Sequence, residues 1–128
     1  MASQPPGEEA GGLHPERVPG SERAEIPHEK IRYLLDSPGK RRFFREILGF
    51  GRETADHLAS QLAGQLPKVP GRFSMVNPAG RPHWVALVQI AGPRRTATVF
   101  TVWQVFEPTR AAFVTARPVK ERDRLLFE

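Results

Sequence analysis

Lys40, Arg41, Arg42 and Arg45 crowd one short stretch, Ser37 to Phe50, which reads SPGKRRFFREILGF. Cations at that density suit one kind of chemistry: holding the oxygens of a phosphate or carboxylate, or stabilising negative charge that builds on such a group during a reaction. Metal-independent cleavage of RNA needs such cations for the crowded phosphorane, and one group of suitable pKa to take the proton of a ribose 2′-hydroxyl. Lys40 leads the candidates, because it falls in the first turn of an expected helix, whose N-terminal donors favour an anion. Arg117, beside Pro118 at the end of an apolar run, is a second cation for the same task. His83, beside a turn, is the candidate proton acceptor. Thr115, and with it Thr101, can present a hydroxyl from a strand. Arg41, Arg42, Arg45 and Arg81 are candidate contacts to nucleic acid or to a protein partner. Each has a plainer role available: a solvated cation, an edge-guarding arginine, or a β-branched residue that pairs well across strands.

Other chemistries find no foothold. The sequence has no phosphate-binding glycine loop, no HExxH, no nucleophile elbow and no cysteine. His14, His28, His57 and His83 lack the close spacing of a metal site, so no metal and no cofactor are expected. The longest apolar run, Trp84 to Ile90, is far shorter than the roughly 20 residues of a spanning helix. The N-terminus, MASQPPGEEAGG, lacks the basic and then apolar regions of a secretory signal, which makes the cytoplasm the expected location.

The formal net charge of +5 is unevenly spread. Residues 1–26 carry a net −3, residues 27–118 a net +8, and the last ten balance. A basic body behind an acidic leader fits a partner that is RNA or an acidic protein.

The elements that must position these side chains follow from hydrophobic period. Residues 1–22, rich in Gly, Pro, Glu and Ser, are expected to be a disordered leader. A first helix runs from Pro27 to about Asp36 with Ile31, Leu34 and Leu35 on one face. The second begins at Pro38 after a capping Ser37, buries Phe43, Phe44, Ile47 and Leu48, and stops at Gly49. The third spans about Arg52 to Leu66 and ends at Pro67. From Val69 the period shifts to that of strands: Arg72–Val76, His83–Ile90, Thr96–Phe106 and Ala111–Arg117, joined by the turns NPAGR, GPRR and EPTR. Connections this short imply antiparallel neighbours, with Thr96–Phe106 at the centre. The expectation is an α+β domain over 23–118: three N-terminal helices on one face of a four-stranded antiparallel sheet. Residues 119–128 form a C-terminal tail, frayed or docked through Leu125, Leu126 and Phe127. Trp84 and Trp103 are read as core.

The run ERAEIPHEKIRYLLDSPGKRRFFREILGF, with the later segments IAGP, TVWQV and FVTARP, resembles an uncharacterised bacterial domain family over about residues 23–118. Lys30, Tyr33, Lys40, Phe44, Gly49, Phe50, Trp103 and Thr115 fall in the order of its pattern, whereas Arg117 stands where its members usually have tyrosine. The layout of helices followed by a four-stranded sheet is similar to the barnase, EndoU, colicin and RelE group of metal-independent ribonuclease toxins. That resemblance implies a cleft between helices and sheet lined by Lys40, Thr101, Thr115 and Arg117, and an endoribonuclease of bacterial toxin type. Beside it stands a second reading from the charge alone: a non-catalytic basic module that docks an acidic protein or nucleic acid, as part of a toxin–antitoxin pair or a phage or defence component.

Overall fold

Residues 12–107 and 109–128 are described by a computed structural model. Helices fill the first half and strands the second, as the change of period near Val69 requires. A two-residue strand β1 (Ala24–Glu25) leads into α1 (His28–Asp36), which buries Ile31, Leu34 and Leu35. Ser37 and Pro38 break the chain direction. The second helix starts with Pro38 at its first position, as α2 (Pro38–Arg41), and widens at once into a π-helical segment, Arg42–Ile47. The wide turn is visible in its hydrogen bonds, where the N–H of Leu48 donates to the carbonyl of Phe43 and that of Phe50 to Phe44. Phe44, Leu48 and Phe50 are buried by it. Gly49 then adopts φ +90°, a conformation open to glycine, and the chain leaves for α3 (Ala55–Gln65).

The sheet is formed by β2 (Gly71–Val76), β3 (Pro82–Ala91), β4 (Thr96–Glu107) and β5 (Arg110–Pro118), together with β1, in the order β1-β5-β4-β3-β2. The four expected strands form the antiparallel meander, with β4 in the middle of the sheet. The expected four-stranded antiparallel sheet is corrected in one respect: β1 adds a fifth strand, parallel to β5, which makes the sheet mixed. Two residues are too few to show a period, and a parallel partner from the far end of the chain leaves no turn signal behind.

Alternation sorts the sheet into two faces. Ala86, Val88 and Ile90, with Val99, Trp103 and Val105 and with Ala111, Phe113 and Ala116, enter the core shared with α1 and α3. A register shift between Val102 and Trp103 lets Phe113 and Ala116 both face inward. The other face is crossed by the C-terminal residues. A fourth short helix, α4 (Glu121–Arg124), and the 3₁₀ turn Leu125–Phe127 run from β5 to β2. Asp123 is tied to Arg117 at one side, and Arg72 at the other donates to the carbonyl of Leu126 and lies 5.1 Å over the Phe127 ring. The tail expected at 119–128 is therefore a docked strap, which explains why Val85 and Ala86, on opposite faces of β3, are both buried.

The leader also divides. Residues 1–11 lie outside the described residues, but the remainder packs on the body. The carbonyl of Glu16 accepts the N–H of Gly71, Val18 and Ser21 are buried, and Gly20 sits against the backbone of Arg110. The packed body thus begins near His14, whose N–H donates to Pro67, rather than at Arg23. Pro, Gly and charged residues hid the one apolar side chain, Val18, that anchors this segment.

Candidate functional site

Lys40 and Arg117 meet at the edge of β5. The geometry comes from the break between α1 and α2: the N–H of Ser37 closes α1 on Tyr33, and the carbonyl of Ser37 then accepts the N–H groups of Lys40 and Arg41. The hydroxyl of Ser37 makes no cap bond and is buried without a partner, contrary to the expected side-chain cap. This tight corner directs Lys40 to the sheet, where Nζ donates to the carbonyl of Ala116 at 2.9 Å. A cavity of about 430 Å³ opens there, lined by Lys40, Arg42, Phe43, Phe44, Ile47 and Arg117. Its floor is apolar because the π-helical turn places Phe43, Phe44 and Ile47 on that side. Burial lowers the pKa of Lys40 below the ordinary lysine value, and the neighbouring guanidinium of Arg117 lowers it further.

Arg117 is held in place by two contacts. Its guanidinium lies 4.2 Å over the Phe100 ring and donates to both oxygens of Asp123, at 2.8 and 2.9 Å. Asp123 also accepts the N–H of Lys120 at 2.7 Å, which starts α4, and only 4% of it is exposed. These bonds, that from Arg117 first, hold its carboxyl below the usual carboxylate range. The charge of Arg117 is therefore largely answered within the fold. That of Lys40 is not: among the described residues no carboxylate forms an ion pair with it.

The edge continues beyond this cleft. β1 pairs only with Ala111 and Ala112, so among the described residues the rest of β5 has no strand on that side. A second cavity, about 520 Å³, lies along this edge between α1 and β5, with Lys30, Tyr33, Val114 and Thr115 in its walls. Thr115 thus belongs to the neighbouring cavity rather than to the lining of the Lys40 cleft.

The remaining candidates are dispersed. His83 faces Gln104 across β3 and β4, whereas Arg117 faces Phe100, which faces Leu87. His83 is therefore four positions along and two strands across, roughly 13 Å by 10 Å. Its Nε2 lies 3.3 Å from Asn77 Nδ2, and it supplies no base to the cleft. Thr101 is fully buried, donates to the carbonyl of Ala86 at 2.7 Å and accepts the indole N–H of Trp103 at 2.8 Å. It is part of the core. Arg45 joins α1 to the second helix through the carbonyl of Leu35 and Asp36. Arg42 rims the cleft, Arg41 is exposed on the side of Asp36 and Glu46, and Arg81 stacks on Phe106 with Arg110 on the same ring.

Comparison with known proteins gives no relative. No family model matches the chain, and neither a curated protein nor a solved structure matches it. Among the described residues no group of His, Asp and Glu side chains could hold a metal ion, and no helix is long and apolar enough to cross a membrane. The feature that sequence reasoning missed is Asp123. Its signal was present in Lys120-Glu-Arg-Asp123, where an acidic residue three positions into a short helix reaches back to the first backbone N–H.

Proposed function

We propose that the protein is a non-catalytic docking module that takes an extended, acidic protein segment along the open edge of β5, with one carboxylate seated at Lys40. The observation that carries this reading is the hydrogen bond of Lys40 Nζ to Ala116. A strand carbonyl that would accept an N–H from a neighbouring strand accepts one from a lysine instead, and that lysine has no counter-ion among the described residues. An incoming strand can replace Lys40 at the carbonyl and offer its ammonium a carboxylate in exchange. The cavities on either side of Thr115 and Ala116 are of a size for side chains of the added strand. Lys30, Lys40 and Arg42 around them favour acidic residues.

The test uses a labelled peptide of alternating glutamate and valine, titrated into the protein at rising salt. Binding should weaken steeply with salt, fall at least tenfold in Lys40→Ala, and shift the backbone amide signals of residues 113–117. A salt-independent affinity, or shifts confined to other strands, removes the reading.

A second reading keeps the same site: metal-independent cleavage of RNA of toxin type, with Lys40 as the proton acceptor. It is favoured by the lowered pKa of Lys40 and by the resemblance to the ribonuclease toxins. Labelled structured RNA incubated with EDTA separates the two. Products ending in 2′,3′-cyclic phosphate, absent with Lys40→Ala, support cleavage; intact RNA beside peptide binding supports docking.

A further inference from the structure

Most of the large apolar side chains exposed among the described residues lie along β2 and the strap beside it, divided between the two faces of the sheet. Phe73, Met75 and Val76 are about half exposed on β2, and Leu125 and Leu126 are equally open on the strap. Arg72 joins the two segments, because its Nε donates to Leu126 and its guanidinium covers Phe127. β2 is the last strand of the sheet. Its first residue is covered, since the N–H of Gly71 donates to Glu16 and Val18 packs against it. From Phe73 to Val76 the outer side of the strand has no partner strand among the described residues.

Exposed apolar residues scattered singly need no explanation, but a row of them on an unpaired edge does. At the exposures found, these side chains present on the order of 500 Å² of apolar surface summed over the two faces, both of which a strand added at the edge would cover. Together with the strand backbone and the stem of Arg72 this approaches the roughly 800 Å² per partner of a specific interface.

We propose that β2 is a self-association edge, on which two copies of this chain pair their β2 strands antiparallel about a two-fold axis near Ser74 and join their sheets into one. A second copy is the occupant that the surface fits. A strand edge is its own complement under such an axis, since each N–H meets a carbonyl of the identical edge. Charge points the same way. Arg72 is the one charged side chain on β2, and Glu16 already answers it at 3.1 Å, so an acidic or basic partner would find little to pair with. The molecule as a whole carries +5, and β2 is the edge of the sheet farthest from the cationic β5 edge. Two copies that meet there keep their most repulsive surfaces apart. The bulge at Ser74, between Phe73 and Met75, fixes the register by turning Phe73 to one face and Met75 to the other.

Sedimentation of the full chain across a micromolar concentration series tests this. Wild type should pass from monomer to dimer and stop there. The double substitution Phe73→Lys plus Val76→Lys should stay monomeric at every concentration while keeping the wild-type far-UV circular dichroism and a cooperative melt. Hydrogen exchange on wild type gives an answer that needs no variant: the amides of residues 73–76 should gain protection as concentration rises. Lys40→Ala should dimerise like wild type, which separates this proposal from the function proposed for the β5 edge. A monomer at every concentration, an open-ended series of larger species, or a dimer that survives both lysines would overturn it.

Discussion

Replacing Asp123 with asparagine keeps its shape and one acceptor but removes the charge that answers Arg117. The wild-type pair makes two short bonds, 2.8 and 2.9 Å, and the same carboxylate starts α4 through the N–H of Lys120. Hydrogen bonds to charged groups contribute about 1.5–3 kcal/mol each, of which a neutral amide retains part. The Arg117 side chain is 28% exposed, so solvent screens it and the lower end of that range applies. The expected loss for Asp123→Asn is thus about 2 kcal/mol, or roughly 6–10 °C in melting temperature for a domain of this size. Acid sharpens the test. The folded-state pKa of Asp123 lies below its unfolded value of about 3.9. Its stabilisation is therefore complete above that value and is lost as pH falls through the lowered folded one. Thermal melts of both proteins at neutral pH and in strong acid should show a gap that closes on acidification. Equal melting temperatures at neutral pH, or a gap that ignores pH, would refute the account of the strap.

Thr101→Val should cost about 2 kcal/mol by urea unfolding, because the indole N–H of Trp103 is left buried without its acceptor and the carbonyl of Ala86 loses one of its donors, whereas Thr101→Ser should cost less. Gly92→Ala should lower the melting temperature by several degrees, since the added Cβ runs into the carbonyl of Leu48 and pushes the β3–β4 turn off the π-helical segment. Affinity for the acidic peptide should fall with rising pH before the ordinary lysine range of about 10.4 is reached, because Lys40 loses its proton early; a curve that stays flat up to that range would show that Lys40 takes no part.

The sequence disclosed what local period and turn chemistry encode. Pro38 stands at the first helical position as its missing N–H suggests, and the turn residues at 77–81 and 92–95 separate strands within a residue or two of their expected ends. The π-helical turn was not legible, because Phe43, Phe44, Ile47 and Leu48 have a spacing that suits an α-helix equally well. Half of the cleft was visible: Lys40 and Arg117 are far apart in the chain, yet one lies at a helix start and the other at a strand end. The misplacement of His83 has a different origin, since register decides which strand ends share a rim, and register is a property of pairs. Thr101 was readable after all, as alternation with Val99 and Trp103 puts it inside.

The parallel pairing of Ala24 with Ala111 bears on the order of assembly. The hairpins β2–β3, β3–β4 and β4–β5 close over short turns, whereas β1 must wait for a strand that lies beyond α1 to α3 and three other strands. At β5 itself the cost of that loop closure is offset by two residue pairs and the contact of Gly20 with Arg110, the rest of the segment being held by the bonds of His14 and Glu16 to Pro67 and Gly71 and by buried Val18. The meander and helices therefore form a nucleus onto which the N-terminal segment docks late, and the same segment is the first to let go. On that account residues 14–25 exchange their amides ahead of the global unfolding of the sheet they complete.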